Sequence, residues 1–278
     1  MWSFEMVAAM LAVGAAAGVI AGMFGVGGGT ILVPLVLWIL QMQGAENFQY
    51  AQHIAIGTSF AVMVFTSFAS ARAQYKRQAV DMDVLRAMVP GVLCGVAAGA
   101  LVAQYLPNKG LQVFFTLFIA ILAVRALLGI KPTPERQLPG RGGLFGMGGL
   151  FGLLSSWIGI GGGSLTVPYL TFCNVPVHRA VGTSAALGWP IAAAGTLGYA
   201  WAGWNQAGLP EGSAGFVYLP AVGILAAATL LSAPLGVRLS HKLPADKLKK
   251  GFGILLLLIA LRMAWRSLSW KRALARRA

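Results

Sequence analysis

Between Glu5 and Glu46 the chain carries no aspartate, glutamate, lysine or arginine. The same holds from Arg141 to Arg179 and from Arg179 to Glu211. A helix crosses a bilayer with about 20 apolar residues, so the two longer runs each hold two segments. A soluble domain would be about 25% charged, whereas this chain is 10% charged and 58% hydrophobic. In hydrocarbon every backbone polar group must be satisfied internally. Uninterrupted apolar runs of this length therefore predict an all-α, polytopic helical membrane protein.

The formal net charge is +14. The basic residues fall in short loops and at the C-terminal end, which is the charge signature of membrane topology, and nucleic-acid binding is not expected. Cys94 and Cys173 lie far apart in apolar surroundings and form no metal or redox spacing. No metal and no cofactor are expected. The first apolar stretch differs from a signal peptide because MWSFEM has no lysine or arginine.

The chain is written twice. GVGGGTILVP (25–34) and GIGGGSLTVP (159–168) are identical at six of ten positions. HIAIGTSFA (53–61) and HRAVGTSAA (178–186) are identical at six of nine. In a third pair, 105–129 and 242–266, Leu-Pro matches Leu-Pro and Arg125 matches Arg262. The expected organisation is a first transmembrane repeat over 1–130, a polar, proline-rich linker over 131–143, and a second repeat with a basic tail over 144–278.

Each repeat reads as five apolar segments. They fall at 6–24, 30–43, 52–72, 86–106 and 110–130, and at 144–158, 164–174, 179–202, 214–238 and 251–268. The second of each five spans only about half a membrane. An odd number of crossings inverts one repeat relative to the other, and paired loops test this. Loop 72–86 holds Arg72, Lys76, Arg77 and Arg86, while its partner 203–213 holds no lysine or arginine. Conversely, 107–110 has one lysine, while 238–250 has Arg238, Lys242, Lys247, Lys249 and Lys250. Cytoplasmic loops carry the Lys/Arg excess, so paired loops take opposite sides and the linker falls inside. Lys271, Arg272, Arg276 and Arg277 would then lie outside, against the rule.

Broken, glycine-rich segments at matching positions of inverted repeats point to a transporter site near the midplane. Gly25, Gly27, Gly28 and Gly29, matched by Gly159, Gly161, Gly162 and Gly163, are expected to form tight turns ahead of short helices. Thr30 and Ser164 are expected to cap those helices with their hydroxyls. First-turn N–H groups lack intrahelical partners and the helix dipole adds positive charge, which together suit an anion. Pro34 and Pro168, in the second turn, are expected to kink or loosen each helix. The second motif supplies Gly57, Thr58 and Ser59 and, in the other repeat, Gly182, Thr183 and Ser184, with hydroxyls that can donate to an anion. His53 and His178 are candidates to carry a proton or to sit at an interface. Arg125 and Arg262 are candidate vestibule charges or anchors. The competing reading is that the glycines and hydroxyls serve only helix packing, in a non-transporting membrane protein that acts as an assembly or interaction partner. A nucleotide loop is not expected, because GVGGGT follows a helical segment and lacks the loop lysine.

On these residues the sequence resembles the TauE/SafE sulfite exporter family, also called TSUP. The carriers are the doubled Gly-x-Gly-Gly-Gly-[Ser/Thr]-x-x-x-Pro motif and the two Gly-Thr-Ser segments, and the resemblance covers nearly the whole chain. It implies a transporter of the bacterial plasma (inner) membrane, commonly an exporter, for sulfite, organosulfonates or related small organic anions. The anion and the oligomeric state stay open. An enzyme is not expected, because no paired carboxylates, histidine cluster or Ser–His–Asp set is recognisable. All seven acidic residues fall at segment ends or loops, so no mid-membrane carboxylate marks cation coupling. An inside-negative potential favours anion exit by about 2.3 kcal/mol per charge per 100 mV.

Overall fold

The computed structural model describes residues 4–24, 28–42, 49–129, 136–240 and 245–275. Ten helices follow in order: α1 (Phe4–Phe24), α2 (Gly29–Met42), α3 (Ala51–Lys76), α4 (Met82–Ala103), α5 (Asn108–Leu127), α6 (Arg141–Ile158), α7 (Gly163–Phe172), α8 (Val177–Ala202), α9 (Leu219–Ser240) and α10 (Ala245–Ala275). The only other regular structure among the described residues is a small antiparallel hairpin, β1 (Ser213–Ala214) with β2 (Val217–Tyr218). The architecture is all-α and polytopic. α3, α4, α5 and residues 219–236 of α9 are long and apolar enough to cross a membrane. Exposed Leu117, Ile121, Leu231 and Leu235 line outer faces, the placement that lipid, rather than water, favours.

Local chemistry sets the helix ends. Asp81 caps α4, its carboxylate accepting from Asp83 N and Val84 N at 3.2 Å each. The chain leaves α3 and α7 through left-handed Gln78 (φ 53) and Asn174 (φ 62), and Asn commonly fills that position. Two boundaries differ from expectation. α9 begins at Leu219 rather than near 214, because Gly212 (φ 83) and Gly215 (φ 57) turn the preceding residues into the hairpin. α10 continues to Ala275, past the expected end at 268.

Helix pairing exchanges the two halves of the sequence. α4 packs on α6 and α1 on α9, α3 packs on α8, and α5 on α10. Both of the first pairs are glycine seams: Gly91 and Gly95 abut the carbonyls of Phe145 and Gly149, while Gly236 abuts that of Val19. Missing side chains let these backbones touch, which is how helices associate where lipid offers no hydrophobic drive. α3 runs antiparallel to α8, since Phe60 meets Tyr199 and Phe68 meets Trp189. This central pair carries both Gly-Thr-Ser motifs and positions the site.

Candidate functional site

The site begins with two glycine turns. In the first, Gly28 is left-handed (φ 80), a conformation that costs an L-residue about 1–2 kcal/mol. Its carbonyl accepts from Ile31 N at 3.0 Å and Leu32 N at 2.9 Å, which starts α2. Gly25 and Gly27 lie outside the described residues. In the second turn, α6 ends at left-handed Gly159 (φ 71), whose N–H donates to Ser155 O at 2.8 Å. Gly162 then starts α7, its carbonyl accepting from Thr166 N at 2.7 Å and Leu165 N at 3.2 Å.

The two turns are therefore built differently. Gly28 and Gly162 match in sequence, yet Gly162 is right-handed (φ −51). Backbone strain on substitution applies to Gly28 and Gly159, and not to Gly162.

The expected hydroxyl caps do not form. Thr30 and Ser164 already lie inside the first helical turn, and the cap residues are glycines without side chains. Both hydroxyls are buried and have no hydrogen-bond partner among the described residues. The N–H groups of Gly29, Thr30, Gly163 and Ser164 have no backbone carbonyl partner outside their helices among the described residues. Pro34 and Pro168 sit within α2 and α7. Each removes the N–H that would bond the carbonyl four residues earlier, and those carbonyls belong to Thr30 and Ser164.

The turns meet. A Cβ on Gly29 would collide with the Gly159 carbonyl oxygen and lie 2.9 Å from Ile160 Cα. Ser59 Oγ, fully buried on α3, donates to the same Gly159 oxygen at 3.3 Å. Gly162 faces Ile191 and Leu187 of α8. Ser184 on α8 is buried, and its hydroxyl has no partner among the described residues. Ser155, at the end of α6, likewise holds a buried hydroxyl without a partner.

The other two residues of each Gly-Thr-Ser motif hold backbone. Thr58 Oγ1 accepts from Tyr218 N at 3.0 Å, and Gly57 lies against the Phe216 carbonyl. Thr183 Oγ1 accepts from Asp81 N at 2.8 Å, and Gly182 lies against the Ala79 carbonyl. Each motif thus clasps the segment entering the fourth helix of the opposite half. Arg179 adds a 3.9 Å ion pair to Asp81 at the second clasp.

The remaining candidates are not gathered at the turns. His53 is fully buried, with Nε2 at 2.8 Å from Ala103 O, and its ring packs on Tyr50 and Phe216. His178, its sequence match, is exposed. Arg125 and Arg262 are exposed on α5 and α10, helices that pack chiefly on each other. Sequence reasoning missed Met63, whose sulfur and methyl reach both turns, because a methionine inside an apolar helix reads as core. The signal was the repeat itself: Met63 falls where the second repeat has Gly188.

The model of the family described as "Sulfite exporter TauE/SafE" matches residues 10–263. A protein of Haemophilus influenzae named "Probable membrane transporter protein" is 33% identical over 94% of this chain and 98% of its own length. A relative of the same descriptive name in Methanocaldococcus jannaschii is 24% identical over 86% of this chain and 88% of its own. One in Bacillus subtilis is 28% identical over 63% and 71%. No solved structure matches the chain.

Proposed function

We propose a mechanism of anion transport whose premise is that this chain belongs to the sulfite exporter TauE/SafE family, and so is a membrane transporter of the bacterial inner membrane. The substrate class proposed is sulfite, organosulfonates or related small organic anions, moved outward. One observation carries the reading: the first glycine turn touches the second, Gly29 against Gly159 and Ile160. The N-terminus of α2 thereby lies against the turn that leads into α7, although the two are remote in sequence.

The chemistry of that locus supports an anion. The first-turn N–H groups of α2 and α7 point partial positive charge at the approach to each helix. Thr30 and Ser164, in those first turns, add buried hydroxyls without partners among the described residues, as does Ser184 on α8, the helix that Gly162 faces, and a hydroxyl can donate to an oxyanion. Gly57, Thr58, Gly182 and Thr183 enter as supports rather than contacts, because their close approaches and hydroxyls already hold backbone. Neutral donors suit an exporter. They bind a dianion or monoanion without the deep trap that a buried arginine would set, and the membrane potential then favours release outside.

Two inverted repeats joined by the segment 131–143 make the alternating-access half of the proposal. The exchange-symmetric helix pairing and the antiparallel α3–α8 pair support it. Single cysteines at Gln78 and Asn205 are expected to react from opposite sides of the membrane, and reaction from one side sinks the inversion. The substrate reading is tested by efflux from proteoliposomes loaded with sulfite, methanesulfonate, acetate or potassium under an imposed potential. Flux of the sulfur oxyanions, steepened by a potential negative inside, is the expected result. Flux of potassium alone would overturn it.

A further inference from the structure

Met63 lies between the two glycine turns. Its Sδ is 2.9 Å from where a Cβ on Gly29 would sit, and its methyl is 2.7 Å from the same point on Gly161. It is fully buried. The Ser59 hydroxyl is 3.8 Å from the sulfur and 3.3 Å from Gly159 O, so thioether, serine and turn form one cluster. The backbone beneath is tied down: the Met63 carbonyl accepts from Ser67 Oγ at 2.5 Å and from Thr66 Oγ1 at 3.4 Å.

The second repeat has no counterpart. Gly188 takes the matching place on α8, and the nearest neighbour of a Cβ there would be Ser67 Cβ at 3.5 Å. The obstruction is therefore one-sided, in a site whose framework is otherwise doubled. A thioether offers no donor to an anion, so Met63 does not act as a ligand. Its unbranched chain has three rotatable bonds and adapts to irregular space, which a removable plug requires.

We infer that Met63 is the gate and size filter of the site, filling the space between the two turns until its side chain swings aside for a small anion. This rests on the reading of the glycine turns as the anion site. The test uses proteoliposomes with methanesulfonate and the bulkier benzenesulfonate as probes, and the wild-type chain beside Met63→Ala, Met63→Val and Met63→Leu.

Met63→Ala is expected to raise the benzenesulfonate-to-methanesulfonate rate ratio by about 10-fold, the scale on which pocket volume discriminates. Met63→Val should raise it less. Met63→Leu keeps the volume but branches the side chain, so it should slow both anions and leave the ratio near wild type. Folded yield is read by size-exclusion chromatography, and the valine variant carries the test if the alanine variant does not fold. A wild-type chain that moves neither sulfonate overturns the anion-site reading. A wild-type chain that moves methanesulfonate, with the ratio unchanged in the alanine and valine variants, leaves that reading standing and overturns the gate.

Discussion

α2 and α7 carry the same motif and sit unequally. α2 buries Gly29, Thr30, Leu32, Val33, Leu35, Val36, Ile39 and Leu40, whereas α7 buries only Thr166 and Leu170. α2 packs on α3 and α1, while α7 rests chiefly on α8. The turns differ in the same sense. Gly28 and its match Gly162 are both buried, but Gly29 and Thr30 are buried where their matches Gly163 and Ser164 are partly exposed. Equivalent segments in unequal surroundings are what one conformer of an alternating pair would present, with α2 sealed and α7 the looser element. Local opening free energy follows buried contacts, and of the two half-helices α7 has the fewer buried residues to expose on opening.

The largest effect should come from the glycines that match in sequence and differ in shape. Gly28→Ala forces a side chain into the left-handed region and should cut sulfonate flux about 10-fold or more, by the cost of that conformation. Gly162→Ala should lose at most a few-fold. Its backbone is right-handed, and the nearest neighbours of its new Cβ would be side-chain atoms, Ile191 Cδ1 at 3.0 Å, Thr166 Oγ1 at 3.1 Å and Leu187 Cβ at 3.9 Å. Equal loss in both would break the contrast. Proteoliposome flux normalised to folded protein is the readout.

Labelling sharpens it next. Single cysteines at Thr30 and Ser164, in a background without Cys94 and Cys173, should react unequally with a water-soluble thiol reagent. Both side-chain positions are buried, but α7 buries fewer residues than α2 and should open more readily, so Ser164→Cys should react several-fold faster than Thr30→Cys. Equal rates would mean that the two half-helices are equally sealed.

A smaller effect is expected at the clasps. Thr183→Val removes the acceptor for Asp81 N, the start of α4, and should lower stability by about 1 kcal/mol. Melting of the detergent-solubilised protein measures this, and an unchanged midpoint would make the clasp incidental. The smallest effect belongs to the arginines. Arg125→Gln and Arg262→Gln, on exposed helix faces, should change flux by less than about 2-fold, as expected of surface positions. Inactive yet folded arginine variants would shift the site from helix termini to fixed charge.

Helix number and order were legible because hydrocarbon fixes the length of an apolar segment. The run from 214 to 218 was misread as helix, since its apolar residues outweighed the turn that Gly212 and Gly215 impose. The pairing of the glycine motifs was legible as sequence identity. Their conformations were not. Whether Gly28, Gly159 or Gly162 is left-handed depends on how each adjoining helix enters the turn, and the motif letters are the same in both halves. In each Gly-Thr-Ser motif the two hydroxyls read as equivalent donors. Only packing separates Thr58 and Thr183, which hold the segments entering α9 and α4, from Ser59, which holds the Gly159 carbonyl, and Ser184, whose hydroxyl has no partner among the described residues.

The most direct test of a shared anion site is equilibrium binding of radiolabelled methanesulfonate to the purified chain and to Thr30→Val and Ser164→Ala, with folding checked for each. A hydrogen bond to a charged group contributes about 1.5–3 kcal/mol, or roughly 10- to 150-fold in affinity. The account predicts losses on that scale from either substitution, although the two residues belong to different halves. Unchanged affinity in both folded variants would contradict it.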